Sequence, residues 1–212
     1  GSLGASGDLG PLACIALVAT GKWRAKYQGR IISGQQALKE AGIKPMKLSF
    51  KEGLCLINGT SAMTALASSL VEKAISLIKT YDVISCLTFE GLKVKKKPFH
   101  PFVHAQKPHQ GQWITAKNVW TILQDSQMAV DEKSVEEQLR SYAHTQPMAT
   151  QAPIEDAYSI RCTPQIIGPI RENLEWIQRV VTNELNSSND NPLILCEHQE
   201  VFHNGHFHGQ YI

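Results

Sequence analysis

The chain has little of what announces the commonest partners. Lys and Arg number 21 against 19 Asp and Glu, so its 212 residues carry a formal net charge of only +2. That balance calls for neither a nucleic acid nor an anionic membrane. Long hydrophobic runs are missing too. The longest, Leu12 to Ala19, falls far short of the ~20 residues that span a bilayer. No charged-then-apolar leader is legible, so no secretory signal is expected. The 5 cysteines, Cys14, Cys55, Cys86, Cys162 and Cys196, are odd in number and form no CxxC pair. A reduced, cytoplasmic setting follows, with thiols acting as small buried hydrophobes. No internal repeat stands out. With 42% hydrophobic and 19% charged residues the chain is not disordered and can bury a real core. It starts inside a Gly-rich run and stops after a His/Gly-rich segment, and is read as a piece of a longer protein.

What is present is mainly helical. Asp8 stands at an N-cap position before Leu9 to Thr20, with Pro11 in the first turn and Gly21 as the stop. Residues 24–33 read as a hairpin turning at Gln28-Gly29. Gln35 to Ala41 form a short helix ended by Gly42. From Ser49 to about Lys79, Met63, Leu66, Leu70 and Leu77 share one helical face, and Gly53 and Gly59 interrupt the early part. Asp82 to Leu92 reads as another helix. Residues 98–111, rich in Pro and His, look like a loop. Helices follow over about Thr115–Met128, Ser134–Tyr142 and Thr163–Leu185, then an irregular, amide-rich stretch with a strand-like piece.

Five clusters could carry chemistry. GSLGASGD lacks the Lys-Ser/Thr ending of a P-loop and read plainly is a turn feeding a helix. Its Ala5-Ser6-Gly7 triplet permits more. With no side chain on Gly7, its nitrogen can fold back onto the Ala5 carbonyl carbon. Loss of that oxygen as water, and of the Ser6 hydroxyl as water, leaves a five-membered ring with an exocyclic alkene. Asn58-Gly59-Thr60 is either a turn or an amide placed in a helical core, where it must find a partner. Tyr158 and Arg161 are spaced to share a helix face, and Arg can clamp a carboxylate through two parallel bonds. The plain alternative is a surface pair with Glu155 or Asp156. Asn186 to Pro192 is an Asx-rich turn or a polar site. His198, His203, His206 and His208 match no standard metal-ligand spacing, and no metal is assigned.

In this order the clusters resemble the aromatic amino acid ammonia-lyase and 2,3-aminomutase superfamily. The resemblance rests on GSLGASGDLGPLA, KEGLCLINGT, FHPFVHAQKPHQGQ, DAYSIRCTPQIIGP, NSSNDNPL and HNGHFHGQ, and it covers essentially the whole chain. It implies a helical-bundle architecture of the fumarase/aspartase-like kind, with small hairpins and irregular loops carrying the site. Residues 1–212 would be the central part of the lyase domain: an electrophile-forming segment 1–22, core helices 49–92 and 115–185, and site loops 98–111 and 186–212. Ala5, Ser6 and Gly7 would form the methylidene-imidazolone (MIO) group. Asn58 would hold the ring oxygen and the substrate near it. Tyr158 would lie beside the ring and assist proton handling. Arg161 would bind the substrate carboxylate with help from Asn191, and Leu54 and Phe207 would line the aromatic pocket.

The implied reaction removes ammonia from phenylalanine or tyrosine to give a cinnamate-type acid. A 2,3-aminomutase or a histidine ammonia-lyase is the near alternative. The implied assembly is a homotetramer, with no nucleic-acid or membrane partner, and the isolated chain is expected to be inactive. Glu155 stands where many members have Gln, and His206 where many have Asn. A carboxylate at 155 beside Arg161 would weaken substrate-carboxylate binding. The readings from other classes are an inactive helical assembly module and a zinc-binding domain.

Overall fold

A computed structural model describes residues 2–131 and 155–212; the helix expected over Ser134–Tyr142 lies outside the described residues. The chain divides into two structural units. The first comprises Gly1–Leu70 and Gln178–Ile212, and the second Val71–Ile177.

The first unit opens with helix α1, Leu9–Ala19. Asp8 sits at its N-cap, but the Asp8 side chain does not cap it. Oδ2 instead accepts from the Met63 N–H at 2.8 Å, in the first turn of another helix. That N–H has no partner within its own helix, so Asp8 caps at a distance of many residues. Both α1 and α2 (Gly34–Glu40) end in the Schellman pattern. Lys22 N–H returns to Leu17 O at 2.8 Å, and Ile43 N–H to Leu38 O at 2.9 Å. Between the two helices, β1 (Arg24–Tyr27) pairs antiparallel with β2 (Arg30–Ser33), with Tyr27 opposite Arg30. Gln28 and Gly29 have φ of 45° and 80°, the signature of a type I′ turn, as the sequence led one to expect. A single-turn α3 (Glu52–Cys55) then precedes the long helix α4, Ser61–Gly91. At the far end of the chain β3 (Leu193–Leu195) pairs antiparallel with β4 (Glu200–Phe202).

α4 is one helix of 31 residues, with no break at Asp82. By length and composition it could cross a membrane, though a core helix passes the same test. In the second unit it packs against α6 (Gln110–Leu123) and the start of α8 (Thr163–Leu185). The expected Leu66, Leu70 and Leu77 do share a face, but that face is exposed, by 68%, 64% and 68%.

The second unit buries Cys86, Phe89, Val94, Phe99, Val119, Leu123 and Ala129, with Trp120 and Ile160 packed against them. The Phe89 and Phe99 rings stack with centroids 5.4 Å apart. Residues 98–111 are not the expected loop. A 3₁₀ turn (Lys97–Phe99) leads into α5 (Pro101–Ala105). His100 caps α5 by accepting the Phe102 N–H, and Pro101 occupies the first helical position, where a missing N–H costs nothing. His104 is fully buried, between Pro98 O at 2.9 Å and Gln112 Nε2 at 3.0 Å. Pro98 O can only accept, so Nε2 carries the proton and Nδ1 accepts. Desolvation holds the His104 pKa below its ordinary value.

Two contacts fix this unit. A Cβ on Gly168 would lie 2.5 Å from Gln112 N, so α6 and α8 meet backbone to backbone. Asp82, 3% exposed, pairs with Arg171 and accepts from Asn118 Nδ2 at 2.7 Å, while Arg171 Nε donates to Thr115 Oγ1 at 2.8 Å. Removing one partner of a buried pair leaves the other charge uncompensated. Asp82→Ala is therefore expected to lower stability by roughly 3–5 kcal/mol, and Asp82→Asn by less, because the amide oxygen still accepts. The thermal unfolding midpoints of the two variants check this.

Candidate active site

The Ala5-Ser6-Gly7 segment is held from several directions within the first unit. Ser6 is 2% exposed, and its Oγ is buried with no hydrogen-bond partner among the described residues. Gly7 has φ +76°, and a Cβ there would lie 2.8 Å from the Met63 methyl. No other residue type fits that position without strain. The Gly209 N–H donates to the Ala5 carbonyl at 3.0 Å. An unpartnered hydroxyl, a glycine with no room for a side chain and a polarised carbonyl are what the ring closure requires. The residues present therefore fit the MIO group.

The first unit also carries the candidates Leu54, Asn58, Asn191 and Phe207. Leu54 lies on α3 and is 45% exposed. Of the two settings open to Asn58, a turn or a helical core, the structure has the turn. Asn58 sits between α3 and α4, with its N–H on Leu54 O at 2.9 Å. Its side-chain amide makes no hydrogen bond among the described residues, which leaves both ends able to take a ligand. The following Thr60 is fully buried. Its hydroxyl donates to the Glu184 carboxylate, which also accepts from Asn189 Nδ2 at 3.1 Å. Asn191 Oδ1 accepts the Asn204 N–H at 2.8 Å, so its NH₂ is the end left to donate. Phe207 is half-buried.

Sequence reasoning missed Lys51. It adopts a left-handed conformation, φ 68°, and its Nζ bonds both Asp190 and the Pro192 carbonyl. This ties the second block to the amide-rich turn. Nothing local could reveal it, because the partners are separated by 139 and 141 positions. The Asp190 bond is the main reason the Lys51 pKa lies above its ordinary value. For Asp190, desolvation pushes up, but bonds from Lys51, Cys55 and the Asn191 N–H outweigh it and hold the carboxyl low. Cys55 Sγ lies 3.4 Å from Asp190 Oδ2; desolvation and then the carboxylate raise its thiol pKa.

The second unit carries the remaining candidates on and before α7, Tyr158–Arg161. The expected shared face is present: the Arg161 guanidinium lies 4.6 Å from the Tyr158 ring centre. The plain alternative is present as well, since Glu155 Oε2 lies 2.7 Å from Arg161 Nη2. Arg161 Nε is buried with no partner among the described residues. A cavity of about 350 Å³ opens here, lined by Lys95, Lys97, Glu155, Asp156, Arg161 and Gln165 among others. A carboxylate entering it meets a guanidinium with one donor still to satisfy.

A second cavity, about 440 Å³, lies in the first unit among Glu184, Asn189, His206, His208 and Tyr211. Among the described residues no three His, Cys, Asp or Glu side chains come together as metal ligands.

Comparison with known proteins now bears on this arrangement. The family profile described as aromatic amino acid lyase matches residues 1–212. The chain belongs to that family. It is similar to the tyrosine 2,3-aminomutase of Chondromyces crocatus, at 39% identity over 219 residues, covering 100% of this chain and 40% of that protein. It is similar to the histidine ammonia-lyase of Myxococcus xanthus, at 41% identity over 210 residues, covering 99% of this chain and 38% of that protein. The structure of the phenylalanine aminomutase of Pantoea agglomerans superimposes with a TM-score of 0.92 at 56% identity, covering 99% of this chain and 41% of that one. The chain thus spans about two fifths of the length of the family members it matches. Its mainly helical architecture with small hairpins is that of solved family members.

The Cys55–Asp190 contact yields a chemical prediction. Thiolate is the form that alkylates, so a raised pKa shifts the onset of reaction to higher pH. At pH 8 Cys55 is expected to react slowly with iodoacetamide for so exposed a thiol, and Asp190→Asn to speed it. Peptide mass spectrometry of timed alkylation checks both.

Proposed function

We propose that the complete protein eliminates ammonia from an aromatic L-amino acid through an MIO group formed from Ala5, Ser6 and Gly7. The observation that carries this reading is the cradle around that triplet: the unpartnered Ser6 hydroxyl, Gly7 pressed on Met63, and Gly209 on the Ala5 oxygen. Family membership supplies the rest of the support. When present, the group supplies an electrophilic carbon that turns the substrate amine into a leaving group.

The chain's own residues do the positioning. In the second unit Arg161 takes the substrate carboxylate, using the Nε that has no partner among the described residues. In the first unit Asn191 offers its NH₂ as a donor. The Asn58 amide, without a hydrogen-bond partner among the described residues, holds the ring oxygen and the adjacent substrate. Tyr158, its ring against the Arg161 guanidinium, is the residue that assists proton handling. Leu54 and Phe207 offer apolar surface to the aromatic ring. The exposed stripe Leu66, Leu70, Leu77, Ile84 and Leu87 along α4 supports a homotetramer, since so long an apolar face needs cover. A cytoplasmic location remains part of this proposal.

A second reading is favoured by a specific observation, the 56% identity to a structure described as a phenylalanine aminomutase. In that reading the same elimination is followed by return of the amine to the β-carbon. Incubating the purified complete protein with L-phenylalanine decides between them: cinnamate alone supports the lyase, β-phenylalanine the aminomutase. The absence of any corresponding unsaturated acid or β-amino acid from phenylalanine, tyrosine and histidine alike would refute both.

Glu155 generates a further expectation. It competes with the substrate carboxylate for Arg161, and an exposed ion pair is worth up to about 1 kcal/mol. Glu155→Gln should lower KM by up to about fivefold with little change in kcat, as steady-state kinetics will show.

A further inference from the structure

Resting on that reading, we propose that the Gly209 peptide N–H is the oxyanion donor for ring closure, making it a catalytic group in the protein's own maturation. It lies 3.0 Å from the Ala5 oxygen, the atom on which charge develops when Gly7 N attacks the Ala5 carbonyl carbon. That is within the range at which a preorganised donor stabilises such a charge.

The surroundings make this more than an incidental turn bond. A Cβ at 209 would lie 3.2 Å from the Ser6 carbonyl oxygen and 3.1 Å from both Cε and Sδ of Met63. A side chain there would require the Ser6 carbonyl or the end of Met63 to give by a few tenths of an ångström. The same Met63 methyl bears on Gly7, whose nitrogen must turn inward. Met63 is itself located by its N–H bond to Asp8, directly after the triplet. The nucleophile, the attacked carbonyl and the donor are therefore held by one set of contacts, all within the first unit.

The steps balance without an oxidant or a cofactor. Attack forms the Gly7 N–Ala5 C bond, and the carbonyl pair moves onto oxygen, under the Gly209 N–H. That oxygen takes up the Gly7 amide proton, then leaves as water with the Ser6 amide proton as the Ala5 C–Ser6 N double bond forms. A second water, from the Ser6 Cα hydrogen and Oγ, leaves the exocyclic alkene. The Ala5 oxygen is gone from the product, so Gly209 N–H loses its acceptor.

The test uses the complete protein made by timed cell-free translation, with the mass of the peptide covering residues 2–22 followed over time. One sample carries glycolic acid in place of Gly209, which turns that amide into an ester and removes the N–H while adding no side-chain atom. We expect the parent to lose two waters, and the ester form to lose them about 100-fold more slowly at equal helix content. Loss at the parental rate would overturn the proposal while leaving the proposed function standing. A parent that never loses water would overturn both. Hydrogen exchange at Gly209 in the unmodified chain gives a second reading that does not depend on the ester folding. Protection before water loss and none after it supports the proposal; an unprotected Gly209 before water loss overturns it.

Discussion

The first unit depends on one approach of backbone to backbone, Gly209 onto Ala5. Hydrogen bonds between peptide groups are short, and a side chain at 209 would press on the Ser6 carbonyl oxygen and the Met63 thioether. The chain answers with glycine at 209 and at 7 and with the pliant thioether of Met63 between them. The neighbouring contacts hold the same crossing. Asp8 pins the first turn of α4, and the buried Thr60 joins that turn to Glu184, which also holds Asn189. Lys51 then secures the amide-rich turn through Asp190 and Pro192. Segments far apart in sequence are thus fixed by polar contacts that tolerate little displacement.

The second unit follows a different logic. Its aromatic and aliphatic core is conventional, but α4, α6 and α8 are also joined by a buried charge network. Asp82 is the centre of it. Such a pair costs desolvation and contributes specificity only while every partner is in place. In the same unit Arg161 is held by Tyr158 and Glu155 while keeping one donor unsatisfied. A guanidinium held on two sides and open on a third is preorganised for a planar anion.

Much of this was legible in the residues. Gln28-Gly29 specifies the hairpin because few other pairs accept positive φ twice in succession. Thr163–Leu185 follows from its apolar periodicity, and α8 has those bounds. The Arg161–Tyr158 stack follows from helical spacing. What stayed hidden was tertiary. A mid-helix aspartate looks like a boundary until its buried Arg171 is known. Proline and histidine between 98 and 104 look like a loop, although one caps α5 and the other starts it. Asp8 stands in the right place to cap α1 and caps α4 instead. The exposed stripe on α4 shows the same limit: its period was readable, but which face the chain itself would cover was not.

The contact between Ala5 and Gly209 also sets an order in time. Translation makes residue 5 well before residue 209, with most of the described chain between them. Until then the triplet lacks the peptide that reaches over it, and it remains ordinary polypeptide. On the proposed function, a chain not yet extended to residue 209 would therefore present no reactive alkene to cellular thiols and amines. The electrophile of the proposed function would then arise only where the folded protein already encloses it, and the distance along the chain would serve as a safeguard during synthesis.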